Sequence, residues 1–270
     1  MTAIVMTDVS VAYDANPVLT GFNLSVVQGE WLGLIGPNGA GKTTMLRAVA
    51  GLVAHSGTVM VTGQPASELD RRTLSRLVAY VPQRPLIPTS MTVIDYVLLG
   101  RTPYIPYLGT ESVRDMQVVA DVVERLELGP FADRPLGSMS GGEIQRAVLG
   151  RAIAQQAPIL LLDEPTAALD VGHQQQVLEL IDELRKEHAL TVISAVHDLT
   201  LAGQFADRLL LLSGGRAAAE GSARTVLTES AIREHYGASV RVLDGPDGSV
   251  LVIPTRPERR PAEGVRESLG

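Results

Sequence analysis

The sequence of 270 residues contains no cysteine, one tryptophan and three phenylalanines. The absence of cysteine excludes disulfide bonds and thiolate chemistry. Because aromatic side chains are scarce, a core must come mainly from Leu, Val, Ile and Ala. No apolar run reaches the roughly 18–20 residues that span a bilayer. The start, MTAIVMTDVS, lacks the basic residues and the apolar run of a signal peptide. We therefore expect a soluble, intracellular chain that reaches a membrane only through a partner.

Basic residues are also in short supply. The formal net charge is −7, which argues against a dominant nucleic-acid surface, so we expect no nucleic-acid partner. There are two lysines, Lys42 and Lys186, against 21 arginines. A chain that otherwise uses arginine keeps lysine where a compact ammonium is needed rather than a planar guanidinium. This contrast points to the segment around Lys42.

A glycine-rich segment surrounds Lys42. Residues 36–44 read GPNGAGKTT, which matches the phosphate-binding pattern of Gly, four residues, then Gly-Lys-Thr. Residues 31–35 predict a buried strand before it and residues 44–50 a helix after it, whereas a chance glycine-rich turn requires neither. We expect Lys42 to meet the β- and γ-phosphates of ATP, and the hydroxyl of Thr43 to meet Mg²⁺. The residues expected to bind the nucleotide here are Gly36, Pro37, Asn38, Gly39, Ala40, Gly41, Lys42, Thr43 and Thr44.

Two acidic residues follow a second apolar run. Residues 159–162 read ILLL and lead directly into Asp163 and Glu164. An α/β sheet places its ligands at the carboxyl ends of its strands. We expect Asp163 to hold Mg²⁺, partly through water, and Glu164 to reach a water aligned with the γ-phosphate. The alternative is a pair of solvated acids that ends a strand.

Three further side chains stand beside predicted strands. His197 follows the apolar run 191–196, and we expect it to stabilise the γ-phosphate or to position the water. Gln83 follows Tyr80-Val81-Pro82, where its amide can contact both Mg²⁺ and the water. Tyr13 precedes the strand of the phosphate loop and is expected to stack on adenine, an interaction of roughly 1–3 kcal/mol by analogy with base stacking. Taken alone, a histidine after a strand is usually structural, Gln83 carries no signal, and Tyr13 is equally compatible with a structural role at a strand end.

A second helix start carries bare backbone amides. Ser140, Gly141 and Gly142 open a predicted helix, and Glu143 stands at the third position of a capping box. Capping alone is the alternative explanation, but two glycines in a first turn cost about 1 kcal/mol each relative to alanine. Because free N–H groups at a helix start bind anions, this segment is expected to form the opposing wall for a nucleotide held by another subunit.

The order of strand and helix patterns predicts an α/β fold. Residues 1–30 and 57–62 alternate as in antiparallel strands, whereas 31–83 and 157–213 alternate apolar strands with helices, as in a parallel sheet. Residues 84–156 are expected to be a helical insert, in which 113–126 and 143–155 show helical apolar spacing. The predicted units are a domain over 1–225, a C-terminal extension over 226–253 and a disordered Pro- and Arg-rich tail over 254–270.

Together these motifs resemble the ATP-binding cassette (ABC) transporter ATPases, over about residues 1–225. The resemblance implies a P-loop NTPase with a RecA-like core. It also assigns the family's motifs to this sequence. In chain order these are the aromatic A-loop (Tyr13), the Walker A loop (36–44), the Q-loop (Gln83), the signature (MSGGE at 139–143), Walker B (159–164), the D-loop (Ala168-Leu169-Asp170) and the switch histidine (His197). Asp170 is thereby implied to border the nucleotide. Met139, Glu143 and Ala168 depart from the residues most frequent at these positions, without removing a group expected to do the chemistry.

The resemblance also implies partners. A cassette of this kind works as a head-to-tail dimer at the cytoplasmic face of the membrane, where it drives a separate permease and, indirectly, serves an extracytoplasmic substrate-binding protein. Segments 99–104, 169–181, 197–208 and 234–254 resemble the subfamily that serves importers of iron chelates, haem and cobalamin.

Two features distinguish this chain from other ATPases of the same fold: the length of its insert and its single cassette. A DNA-maintenance member would carry a long coiled coil where this chain has a short insert, and a ribosomal member usually carries two cassettes. A cluster-assembly ATPase remains an alternative, whereas Glu164 and His197 argue against a non-catalytic regulator.

The apolar segments 85–88 and 104–108 predict either a groove for a permease helix or part of the insert's core.

Overall fold

The computed structural model of the chain describes residues 1–166, 169–245 and 248–256. In chain order its strands and α-helices are β1 (Thr2–Tyr13), β2 (Asn16–Val27), β3 (Trp31–Ile35), α1 (Lys42–Val49), β4 (Ser56–Val61), β5 (Gln64–Pro65), α2 (Arg71–Leu77), β6 (Val78–Val81), α3 (Val93–Leu98), α4 (Val113–Arg125), α5 (Gly141–Ala154), β7 (Ile159–Asp163), α6 (Val171–His188), β8 (Thr191–Ala195), α7 (Leu199–Phe205), β9 (Arg208–Ser213), β10 (Arg216–Gly221), α8 (Ala223–Val226), α9 (Glu229–Tyr236), β11 (Val240–Asp244) and β12 (Val250–Pro254).

A six-stranded sheet lies at the centre of the fold. Its order is β10-β9-β3-β8-β7-β6; the five strands from β9 to β6 are parallel, and β10 pairs antiparallel at the edge. Both faces are buried, as in parallel sheets covered by other layers. Ile159 and Leu161 of β7 join one apolar cluster, while Leu160 and Leu162 join another on the opposite face. The predicted α/β fold is confirmed.

A second sheet, of order β2-β1-β4-β5, is antiparallel throughout. It accounts for the alternating pattern that residues 1–30 and 57–62 show in the sequence. Met45, Leu46 and Val49 of α1 share one apolar cluster with this sheet and with one face of the parallel sheet. Helix α1 is therefore held by both sheets, and so is the loop that leads into it.

Helices cover the other face of the parallel sheet. Residues 84–156, all of them described, form α3, α4 and α5 and no named strand, apart from one isolated bridge between Thr92 and Pro135. Helix α4 agrees with the predicted helical pattern to within one residue at its end, and α5 begins two residues before Glu143. In the described ranges, none of the helices is both long and apolar enough to cross a bilayer.

The C-terminal elements pack against the edge of the core rather than apart from it. Val226, Leu227 and Val250 share an apolar cluster with Ile35 of β3 and Ala202 of α7. Helix α8 crosses the boundary that the sequence predicts at residue 225, and β12 extends to Pro254, so the division into domains remains a prediction. The predicted disordered tail lies outside the described residues from 257 onward.

Candidate functional site

The carboxyl ends of four parallel strands converge on one edge of the central sheet. Loop 36–44 follows β3, Glu164 follows β7, His197 comes two residues after β8, and Gln83 comes two residues after β6. Since neighbouring parallel strands all end at this edge, residues that are far apart in the sequence meet there. Sequence reasoning predicted this convergence from the apolar runs together with the motifs that follow them.

The glycine-rich loop needs glycine at two positions, because the backbone there has a positive φ and leaves no room for a Cβ. Gly36 has a φ of 147°, and a Cβ on it would lie 2.2 Å from the carbonyl oxygen of Leu212. Gly41, with a φ of 107°, would place a Cβ 2.9 Å from a side-chain carbon of Leu19. Helix α1 starts directly after Gly41 without a side-chain cap. Its first N–H groups are therefore open to an anion, as the phosphate-loop assignment requires.

Lys42 is buried inside this loop, with 6% of its surface exposed. Its Nζ donates to the carbonyl oxygens of Gly36 at 2.6 Å and Pro37 at 3.2 Å. Burial lowers the pKa of Lys42, while the nearby carboxylates of Glu164 and Asp163 oppose that shift. The ammonium therefore lies close to both acidic residues and to the anion-binding helix start.

Asp163 ends β7 and is 1% exposed. Its Oδ1 accepts a hydrogen bond from the Thr43 hydroxyl at 2.9 Å, and its Oδ2 accepts one from the Tyr80 hydroxyl at 3.1 Å. Burial raises the pKa of Asp163, and these two hydrogen bonds oppose the rise. Carboxylate, hydroxyl and amide oxygens are the donors that Mg²⁺ takes in proteins. Asp163 and Thr43, which are hydrogen-bonded to each other, therefore offer donors that fit this cation, whereas the predicted ligand Gln83 contacts the next residue, Glu164.

Glu164 occupies the centre of the site in a left-handed conformation, with a φ of 55°. Its amide donates to the carbonyl oxygen of Ala195 at 3.1 Å, which ties it to β8. Its Oε1 lies 2.5 Å from Nε2 of His197, and its Oε2 accepts a hydrogen bond from Nε2 of Gln83. The structure thus brings together the three residues predicted to be catalytic.

Tyr13 ends β1 and is 42% exposed. The Arg47 guanidinium of α1 interacts with the side chains of Tyr80 and Tyr13, and these interactions, Tyr80 foremost, raise the pKa of Arg47. Tyr13 therefore lies beside the helix that follows the phosphate loop. Its stacking on adenine remains a prediction.

The helix start at Ser140 faces a different part of the molecule. Ser140 and Glu143 form the predicted capping box, and the hydrogen bonds from Ser140 lower the pKa of Glu143. A Cβ on Gly142 would lie 3.9 Å from side-chain atoms of both His173 and Leu169. Within the described residues no hydrogen bond or ion pair joins 140–142 to loop 36–44. Within the described residues, the two segments predicted to bind anions are therefore not joined by a polar contact.

Asp170 lies next to this helix start. It caps α6 by accepting from the amide of His173 at 2.9 Å, and its carboxylate pairs with the His173 ring at 2.8 Å. Hydrogen bonds from His173 lower the pKa of Asp170. Ala168, the first residue of the predicted D-loop, lies outside the described residues.

Individual residues of the two apolar segments predicted as a groove, 85–88 and 104–108, differ in exposure. Leu86, Tyr107 and Leu108 are 88%, 96% and 95% exposed. Tyr104 is half-buried, and its ring lies under the guanidinium of Arg101, 3.9 Å from the centroid. The tip of the segment is thus a free surface, whereas Tyr104 belongs to the packing of the insert.

Sequence reasoning missed two residues that contact the site. Tyr80 holds Asp163, and the register of β6 beside β7 is the one signal that would have placed it near that carboxylate. Gln145 of α5 donates to the carbonyl oxygen of Pro165, directly after Glu164. Nothing in the sequence around Gln145 indicates this contact, because it depends on how α5 packs.

The fold and the site define a P-loop nucleotide-binding protein. The family model described as ABC transporter matches residues 19–167, more than half of the chain. The chain belongs to the ABC transporter family. It is 43% identical over 242 residues to the hemin import ATP-binding protein of Streptomyces coelicolor, covering 89% of this chain and 85% of that protein.

Other relatives extend this likeness. The cobalamin import ATP-binding protein of Halobacterium salinarum is 39% identical over 258 residues, 95% of this chain; the chain spans 64% of that relative's length. An inward-facing metal-chelate type ABC transporter superimposes with a TM-score of 0.82 at 26% identity, covering 95% of this chain and 98% of the other. A dimeric bacterial ABC transporter cassette gives 0.73 at 28% identity, covering 82% and 99%.

Proposed function

We propose that this chain is the ATP-hydrolysing subunit of an importer for a metal chelate (a ferric siderophore, haem or cobalamin). The observation that carries the proposal is Glu164, held between Gln83 and His197 at the sheet edge where loop 36–44 begins. The reaction is the transfer of the γ-phosphoryl group of ATP to water, which depends on positioning and charge stabilisation.

Each residue of the site has a role in this reaction. The loop amides and Lys42 bind the phosphates, and Thr43, Asp163 and Gln83 hold Mg²⁺, which neutralises phosphate charge when bound. Glu164 orients the attacking water and takes its proton. His197 fixes the carboxylate of Glu164, and Gln83 contacts the same carboxylate with its amide nitrogen while its amide oxygen stays available to the cation.

The site is completed by a second copy of the chain. The capping box uses the amides of Ser140 and Glu143, so the amides of Gly141 and Gly142 are the ones it leaves open. In a head-to-tail dimer these amides meet the nucleotide of the other copy, and Asp170 borders it. The dimeric cassette with a similar fold supports this arrangement.

The cargo and the membrane partners are inferred from the proteins that this chain is similar to. Relatives named for import of hemin and cobalamin, together with the metal-chelate type transporter, support a bulky metal chelate as cargo. The chain then sits at the cytoplasmic face, bound to a separate permease that receives cargo from an extracytoplasmic binding protein. The exposed segment at Tyr107 is the surface for the permease.

Reconstitution tests the proposal directly. The chain is assembled in vesicles with the permease encoded beside it, and ATP hydrolysis is measured with binding proteins loaded with a panel of chelates. We expect a chelate-loaded binding protein to stimulate hydrolysis, and Glu164→Gln to abolish it. Stimulation only by a sugar- or amino-acid-binding protein contradicts the cargo assignment. Failure to co-purify with any multi-helix membrane protein favours a non-transport role such as cluster assembly.

A further inference from the structure

Tyr80 of β6 lies beside the carboxylate of β7 that is predicted to hold Mg²⁺. In the parallel pair formed by these strands, Tyr80 is aligned with Leu161. Because side chains alternate between the two faces of a strand, Leu161 and Asp163 point to the same face of the sheet. Tyr80 packs on that face, against the apolar cluster that contains Leu161. Asp163 lies two residues, about 6.6 Å, further along the sheet, and the long side chain of Tyr80 reaches it.

Each oxygen of the Asp163 carboxylate accepts a hydrogen bond. Oδ2 accepts from the Tyr80 hydroxyl at 3.1 Å, and Oδ1 accepts from the Thr43 hydroxyl at 2.9 Å. The terminal torsion of an aspartate has only broad preferences, so its hydrogen bonds set the plane of the carboxylate. Asp163 is 1% exposed, which leaves bulk water little access to replace either donor. The two hydroxyls therefore keep Oδ1 beside Thr43, the other predicted ligand.

Strand β6 also reaches the second acidic residue. Gln83, two residues beyond the end of β6, donates to the carboxylate of Glu164. The two consecutive acidic residues at the end of β7 are thus each held by a polar side chain from the neighbouring strand or from the residues directly after it. Packing against the apolar cluster requires only the ring of Tyr80, whereas its hydroxyl contacts the site.

We propose that Tyr80 is a positioning residue for the divalent cation: its hydroxyl fixes Oδ2 of Asp163, so that Oδ1 and the Thr43 hydroxyl are presented together to Mg²⁺. Residues that hydrogen-bond to a ligating carboxylate orient it, and their loss commonly weakens metal binding by about 10- to 100-fold. Because this inference rests on the proposed Mg²⁺ site, its test includes a variant of Asp163 itself.

The mutational test compares two tyrosines in the full-length chain. Tyr80→Phe removes the hydroxyl and keeps the ring. Tyr96→Phe is the matched control, because the buried hydroxyl of Tyr96 has no hydrogen-bond partner among the described residues. Calorimetric titration measures ADP binding in EDTA and over a series of Mg²⁺ concentrations.

The two variants should differ in their need for the metal. In Tyr80→Phe, the Mg²⁺ concentration that gives half of the metal-dependent gain in ADP affinity should rise about 10-fold. ADP affinity in EDTA should stay at the wild-type value, because the loop amides and Lys42 are unaltered. A general loosening of the fold would instead weaken ADP binding equally under both conditions. Tyr96→Phe should behave like the wild type throughout.

A measurement that keeps the hydroxyl gives an independent test, which holds even if Tyr80→Phe does not fold. In this test 3-fluorotyrosine replaces Tyr80 alone, so that the chain retains the donor and carries a single fluorine nucleus. If the hydroxyl and the cation share Asp163, adding Mg²⁺ to the ADP-bound chain should shift the fluorine resonance beyond the shift that ADP alone causes. The same probe in place of Tyr96 should not respond to Mg²⁺.

The outcomes separate this inference from the Mg²⁺ assignment. Asp163→Asn should remove the gain in ADP affinity that Mg²⁺ provides; if the gain remains, the Mg²⁺ assignment fails. If Asp163→Asn removes the gain but Tyr80→Phe needs no more Mg²⁺ than Tyr96→Phe, the inference about Tyr80 alone is wrong. It is also wrong if Tyr80→Phe weakens ADP binding equally with and without Mg²⁺, or if the fluorine resonance at position 80 does not respond to Mg²⁺.

Discussion

Glu164 has a strained backbone conformation, and neighbouring residues hold both its amide and its carboxylate. A non-glycine residue in the left-handed region carries roughly 1–3 kcal/mol of strain, which persists where the surroundings impose it. Here the amide is bound to Ala195, and the carboxylate is held by His197 and Gln83. The conformation turns the side chain of Glu164 toward the end of β8 rather than along the path of β7.

Replacing Glu164 by Gln tests its role as the base. The amide keeps the size of the side chain but cannot take a proton, so hydrolysis should slow by about 100-fold or more while nucleotide binding persists. Single-turnover hydrolysis and ATP binding measure the two effects. Glu183→Gln, an exposed change on α6, is the control. Hydrolysis near the wild-type rate in Glu164→Gln would falsify this assignment.

The residues of the site could be predicted to different degrees. Lys42, Asp163 and His197 each come at or shortly after the end of an apolar run that is typical of a parallel strand. Because the carboxyl ends of such strands meet at one edge of the sheet, their convergence could be foreseen. The left-handed backbone of Glu164 and the contact between Tyr80 and Asp163 could not. Both depend on the register between neighbouring strands, which the pattern of a single strand does not contain.

At the scale of elements, the start of α4 is fixed by a buried ion pair. Asp115 accepts from Arg101 at 2.8 Å, and both side chains are almost fully buried. Arg101 also donates to the carbonyl oxygen of Ala154, at the end of α5. Hydrogen bonds from Ser112, and then the Arg101 guanidinium, lower the pKa of Asp115 to about 2. One guanidinium therefore joins α4 to α5.

Asp115→Asn should destabilise the chain strongly. It leaves the Arg101 guanidinium buried without its counter-charge, a loss of about 3–5 kcal/mol in the free energy of unfolding. Urea denaturation measures this loss, and Asp121→Asn on the exposed face of α4 is the control. A loss below about 1 kcal/mol, the range of exposed ion pairs, would show that the pair contributes no more than a surface contact.

The same carboxyl gives a pH dependence of known sign. The pKa of Asp115 is lower in the folded chain than the ordinary 3.8. The stabilisation is therefore complete above pH 3.8 and is lost as the pH falls toward about 2, since the unfolded chain binds the proton more readily. The wild type should lose stability over this window more steeply than Asp115→Asn. Parallel curves for the two proteins would contradict this attribution.

The elements were more predictable than their packing. Helix α4 was foreseen to within one residue because residues 113–126 show helical apolar spacing, whereas its Ser112 cap was not predicted. The attachment of the C-terminal extension to Ile35 and α7 was not foreseen, since short apolar runs after residue 226 do not reveal which surface they cover.

At the scale of the whole molecule, the two segments predicted to bind anions have different neighbours: Gly142 lies near His173, whereas Thr43 of the phosphate loop contacts Asp163. Ser140→Arg therefore tests the head-to-tail arrangement. ATP binding to the isolated chain should remain nearly intact, whereas dimerisation and turnover should fail because a bulky cation blocks the wall that meets the other copy's nucleotide. Sedimentation with Glu164→Gln in the background measures the dimer, and Ser67→Arg at another exposed serine is the control. A loss of monomer affinity as large as that of Lys42→Ala would place Ser140 in its own chain's site.

The exposed tip at Tyr107 should attach the chain to its permease. Tyr107→Asp removes an apolar side chain that is 96% exposed, so the fold should persist while co-purification with the permease is lost. Val113→Asp, at an apolar position of the insert that is 89% exposed, is the control. Tyr104→Asp should instead reduce stability, because its ring packs under Arg101. Unchanged assembly of Tyr107→Asp would exclude this surface.

The scarcity of lysine makes the nucleotide site chemically addressable. Lys186 is exposed, although it pairs with Asp182, whereas Lys42 is buried and its lowered pKa leaves more of it as the free amine. An amine-acylating reagent should therefore mark Lys186 at a rate independent of nucleotide and Lys42 at a rate that bound MgADP suppresses. The ratio of two acylated peptides, read by mass spectrometry, then gives the fractional occupancy of the site in membranes or extracts. Equal suppression at both lysines would show that the label reports a global change.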